Sequence, residues 1–216
     1  MNKKLVTFGD SFIAQRDYFP VLEPKSWIDY VCQENSFTLD GYGVRRVGID
    51  NTIVNFINYK DEFDICIFAW SDIGRPFYVG IDLGFIRKGL SYNGLSEKQN
   101  SDLWKKYYRY HMNHKLWDIK AKAFLEWFDK YLQDNFSSKK IYHLNCFEMN
   151  HKFYKGINIK TPLIKFSKLR NHKTDNDTRL LHMAPKVHKL FANQLNKSIQ
   201  DKSLKDGDVV EFSLEL

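Results

Sequence analysis

Near the start of the chain a short apolar segment, Leu5-Val6-Thr7-Phe8, runs into Gly9-Asp10-Ser11-Phe12. Glycine permits a sharp turn. A serine just past the end of a buried strand lies at the carboxyl edge of a sheet, where its hydroxyl can face a cleft. Such a hydroxyl becomes a nucleophile only beside a base, and the chain offers seven histidines. His111 and His114 fall among lysines and tyrosines. His143 and His151 flank an apolar strand, and His172 lies in a charged loop. His182 stands apart, preceding Met183-Ala184-Pro185 at the mouth of the last helix, in a loop that can meet the one after the first strand. Ser11 with His182 is therefore the candidate nucleophile–base pair. The plainer alternatives are a common Gly-Asp-Ser turn and a helix-start histidine bonding backbone. HExxH, Walker and GxGxxG patterns are absent from the sequence, as is a close Cys/His cluster, so no metal or organic cofactor is expected.

The elements that must position this pair read as follows. Leu5–Phe8 predicts a buried strand stopped by Gly9-Asp10. Ser26 predicts a helix cap, with the helix running to about Asn35 and burying Trp27, Tyr30 and Val31. Phe37-Thr38-Leu39 predicts a second strand, and Asp50 or Asn51 a cap for a short helix carrying Ile53, Val54 and Phe56. The continuous apolar run Ile65–Trp70 fits a parallel strand buried on both faces. Residues 140–146 predict a fourth strand and 157–159 a short fifth. Val187, Leu190, Phe191, Gln194 and Leu195 share the spacing of a helix over 185–199, and 209–216 alternates like a terminal strand. Alternating strands and helices imply an α/β fold with a mostly parallel sheet. The aromatic and basic stretch 75–116 reads as a lid-like insertion over the carboxyl end of the sheet. From about Ser101 a helix continues towards Gln133, with Trp117, Phe124, Phe128 and Tyr131 as its buried stripe. The whole chain, 1–216, is expected to form one domain.

Taken together, Gly9-Asp10-Ser11-Phe12, Ser26-Trp27 and His182-Met183-Ala184-Pro185-Lys186-Val187-His188 resemble the SGNH (GDSL-type) hydrolase family. That resemblance implies a three-layer α/β/α sandwich of flavodoxin-like layout and a serine esterase. It implies Ser11 as nucleophile and His182 as base, with the oxyanion held by the amides of Ser11 and Gly48. In the family's third block Ser71 stands where an asparagine is usual; a hydroxyl retains one donor. Trp70, within that Ala69-Trp70-Ser71-Asp72 block, and Arg75, three residues beyond it, are assigned to substrate contact, and Arg75 could supply a cationic donor. The family's acid stands three residues before its histidine, but here that position is Arg179. Asp177 is the chosen acid, Asp175 the alternative, and a Ser11–His182 dyad the fallback. Asp10 is assigned to bonding loop amides.

The chain has 216 residues, 43% of them hydrophobic and 16% aromatic, enough for a self-sufficient core. Its three cysteines, Cys32, Cys66 and Cys146, are too few and scattered for a disulfide framework. No apolar run approaches the roughly 20 residues of a spanning helix. Asp10 interrupts the stretch after Lys3-Lys4 before a signal-peptide core can form, and a cytoplasmic setting is expected. The formal net charge of +7 fits solubility alone or an anionic partner. Lys105-Lys106-Tyr107-Tyr108-Arg109-Tyr110-His111 and the lysines of 152–173 mix cations with rings, which leaves nucleic acid or an anionic polymer as a competing partner. The main expectation is a small-molecule or glycan ester with a short acyl group, such as O-acetyl. A third alternative, motivated by Ser71 and Arg179, is a catalytically inactive relative with a structural role. The sequence gives no indication of oligomeric state.

Overall fold

The computed structural model describes residues 3–14, 26–43, 48–71, 114–169 and 183–215. Its strands are β1 (Lys4–Ala14), β2 (Thr38–Gly43), β3 (Ile65–Trp70), β4 (Lys140–Asn145), β5 (Ile157–Ile159) and β6 (Val209–Val210). All adjacent pairs are parallel, in the order β2-β1-β3-β4-β5-β6. The helices among the described residues are α1 (Trp27–Asn35), α2 (Ile49–Asn58), α3 (His114–Asn135), α4 (Leu163–Ser167) and α5 (Pro185–Gln200). The first five strands follow the flavodoxin-like order, and the expected α/β class is observed.

Side-chain alternation along the strands creates two cores. Leu5, Ile65, Ile67, Ala69, Tyr142 and Leu144 face α1, α4 and α5 on one side of the sheet. Val6, Phe8, Cys66, Phe68, Trp70 and Ile141 face α2 and α3 on the other. All six residues of β3 are buried because both faces are covered.

Local chemistry explains the helix starts. Ser26 caps α1 through a reciprocal box: its hydroxyl accepts the Asp29 amide, while the Asp29 carboxylate accepts the Ser26 amide at 2.6 Å. At α2 the cap is Gly48 rather than Asp50 or Asn51. Asp50 instead lies inside the first turn, where a carboxylate complements the positive end of the helix.

Three other expectations need correction. β1 does not stop at Phe8 but extends irregularly to Ala14. The buried stripe of α3 is Ala121, Leu125, Phe128 and Leu132, with Trp127 half exposed. This face follows i, i+4, i+7, i+11 spacing, which leaves Phe124 and Tyr131 at its margin. The last strand is only two residues long. The insertion expected at 75–116 lies outside the described residues until His114, where α3 begins. No helix among the described residues is long and apolar enough to cross a membrane.

Candidate active site

In this topology β1 lies between β2 and β3, so the connections from β1 and β2 depart to opposite sides. Ligands of open α/β sheets bind in the crevice outside the carboxyl ends at such a switch point. The Gly-Asp-Ser segment stands there. Gly9 pairs with Gly43 of β2 and Ala69 of β3, and Gly43 pairs again with Ala14. Residues 10–13, Ser11 among them, therefore leave the ladder between the two pairings. Gly9 is required at the point of departure, since a Cβ there would collide with the carbonyl oxygen of Ala69.

Asp10 anchors this bulge. Its wholly buried carboxylate accepts the Phe12 amide at 3.0 Å and the Cys146 thiol at 3.2 Å on Oδ1. Oδ2 accepts the Ser71 hydroxyl at 3.3 Å. One carboxylate thus ties the bulge to the residues that follow β3 and β4. This is the amide-bonding role expected of Asp10, extended by two side chains that follow β3 and β4.

Ser71 is buried and reaches the same edge, but its single O–H goes to Asp10. Gly48 is buried at the start of α2, where its carbonyl accepts the Thr52 amide and hydroxyl at 3.4 and 3.3 Å. Since β2 ends at Gly43, α2 starts at the carboxyl edge as well.

Trp70 does not take the place expected for a substrate contact. It has no exposed surface and stacks on Phe68 and Phe153, with ring centroids 5.0 and 5.1 Å away. Its indole N–H donates to His143 Nδ1 at 3.0 Å. His143 is equally enclosed, lying 3.8 Å from the Phe153 ring centroid. Because Nδ1 accepts, the proton resides on Nε2, which donates to the Lys155 carbonyl at 2.7 Å. Burial pushes the His143 pKa down to about 3, so this imidazole is neutral and structural.

The last helix brings a further part to the edge. Met183 and Ala184 are buried, and Ala184 caps α5 with Pro185 at its first position. His188 accepts the Trp27 amide on Nδ1 at 3.2 Å, and the Trp27 indole N–H donates to the Phe12 carbonyl at 3.2 Å. Hydrogen bonds therefore join the Gly-Asp-Ser bulge to Ser71 and, through Trp27, to the start of α5. His182, Asp177, Asp175 and Arg75 lie outside the described residues. Sequence reasoning missed the Cys146 contact with Asp10, for which only the position of Cys146 after an apolar strand was a signal. Among the described residues no group of three or more His, Cys, Asp or Glu side chains could hold a metal ion.

No family model matches the sequence, and no curated protein matches it. Among solved structures, the chain is similar to a crystal structure of a Lactobacillus plantarum protein, with 10% identity over 97% of this chain and 76% of that one, at a TM-score of 0.38. It is also similar to a Desulfitobacterium hafniense DCB-2 protein described as a "putative lipolytic protein of G-D-S-L family". That match has 13% identity over 91% of this chain and 99% of the other, at a TM-score of 0.37. Likenesses this remote carry no functional argument, which rests on the residues of the site.

Proposed function

We propose that the protein is a serine esterase of SGNH type acting on a short-chain carboxylic ester, with O-acetyl groups on a glycan as the favoured class. The observation that carries this reading is the position of Ser11. It lies two residues beyond Gly9, where any Cβ would collide with the neighbouring strand, in a bulge at the switch point of a parallel sheet. In the proposed reaction His182 takes the Ser11 proton as the hydroxyl attacks the ester carbonyl. The amides of Ser11 and Gly48 stabilise the oxyanion. His182 then gives its proton to the leaving alcohol, and water repeats the sequence on the acyl-enzyme. Asp177 orients the imidazole and stabilises its charged form. Arg75 is left as a substrate contact.

Ser71 is the third oxyanion donor that the resemblance implies. Its hydroxyl is held by Asp10, so we assign the oxyanion to the two backbone amides. The same observation favours the second reading, an inactive relative, because a missing donor lowers rates by roughly 10²–10³-fold. Hydrolysis of p-nitrophenyl acetate and of an acetylated xylan, measured for wild type and Ser11→Ala, separates the two. The esterase reading predicts turnover that disappears in the variant. Turnover unchanged by Ser11→Ala, or none by folded wild type, contradicts it.

A further inference from the structure

Trp27 and His188 lie on helices remote in sequence, yet they join the two segments that the proposed esterase must bring together. The Trp27 indole N–H donates to the Phe12 carbonyl at 3.2 Å, next to Ser11 in the chain. The Trp27 amide, the first of α1, donates to His188 Nδ1 at 3.2 Å. The His188 amide in turn donates to the Ala184 carbonyl at 2.9 Å, two residues beyond His182. An unbroken path of hydrogen bonds and covalent bonds thus leads from the residue after Ser11 to the segment that carries His182.

The surroundings make this path stiff. Trp27 is wholly buried and packs edge-on against Phe191 of α5, with centroids 5.1 Å apart. Phe12 and Ala184 are buried as well. An amide in the first turn of a helix has no partner within its own helix, so the imidazole of His188 supplies an acceptor that α1 itself does not provide.

We infer that Trp27 and His188 are positioning residues that set the separation between the Ser11 bulge and the His182 segment. This inference rests on the proposed esterase reading. A misplacement of about 1 Å between reacting groups costs on the order of 10²-fold in rate. His188→Ala removes the acceptor, whereas His188→Asn offers an amide oxygen near the place of Nδ1.

The test compares wild type, His188→Ala and His188→Asn by two readouts. One is the rate of Ser11 labelling by a fluorophosphonate. The other is hydrogen–deuterium exchange of peptides covering residues 8–14 and 183–190, and melting temperature monitors global stability. The relay predicts labelling slowed on the order of 10²-fold in His188→Ala and restored to within a few-fold in His188→Asn. It also predicts faster exchange confined to those two segments in His188→Ala. Wild-type rates and exchange in His188→Ala would overturn it, as would exchange raised evenly over the whole molecule. If wild type does not label, the esterase reading fails, and the exchange result alone still decides whether the relay exists.

Discussion

His143 should make the protein acid-sensitive by an amount that can be worked out. Its pKa in the folded state is about 3, because burial disfavours the imidazolium, against an ordinary value of 6.5. A folded-state pKa below the unfolded one means that the unfolded chain binds the proton more readily. The associated stability is therefore complete above pH 6.5 and declines as pH falls from there towards 3. At about 1.36 kcal/mol per pH unit, the full loss is about 5 kcal/mol. Between about pH 7.5 and about pH 5 the expected loss is about 2 kcal/mol. His143→Gln tests this, since its amide can accept from Trp70 and donate to Lys155 without titrating. Urea unfolding of both proteins across that range isolates the His143 contribution, because His151, whose pKa burial also lowers, titrates in both. The variant should show a pH dependence flatter by about 2 kcal/mol. Parallel curves for the two proteins would refute the argument.

Further outcomes follow from other buried groups. Asp129 accepts the Tyr154 and Lys155 amides at 2.8 and 2.9 Å. Asp129→Ala should therefore cost about 3 kcal/mol in urea unfolding, with an effect under about 1 kcal/mol contradicting that role. Cys66 and Cys146 are wholly buried, and burial raises the Cys32 thiol to about 12 and Cys66 well above its ordinary value. Ellman's reagent at mildly alkaline pH should find none of the three thiols in the native protein and all of them in guanidinium. Ser71→Ala should lower esterase kcat by less than about tenfold, because its hydroxyl belongs to Asp10, whereas a loss of roughly 10²–10³-fold would restore it as an oxyanion donor.

A strand covered on both faces was legible from the chain, as β3 shows, because continuous burial leaves a continuous apolar run. The start of α5 was legible from Pro185 and the apolar spacing behind it. The final strand was overread because alternation reports a half-buried segment and not the length of its neighbour. β5 ends at Ile159 and Pro162 lacks an N–H, so Phe212 is held instead by the Thr161 side chain, through two bonds of 2.9 Å. α4 has only five residues, too few to show helical spacing.

The site divides along the same line. Gly9 and Asp10 could be assigned from their own neighbourhood. The true place of Trp70 could not, because it depends on strand register, which sets β3 against β4 so that Phe68 pairs with His143. The contact of Cys146 with Asp10 likewise spans 136 residues of sequence. No local pattern encodes such a distance.

The most direct test of the account is fluorophosphonate labelling of the folded wild type beside Ser11→Ala and His182→Ala. The account predicts a single label on wild type, located at Ser11 by peptide mass, absent from Ser11→Ala and strongly slowed in His182→Ala. An unlabelled wild type, or a label that persists in Ser11→Ala, would contradict it.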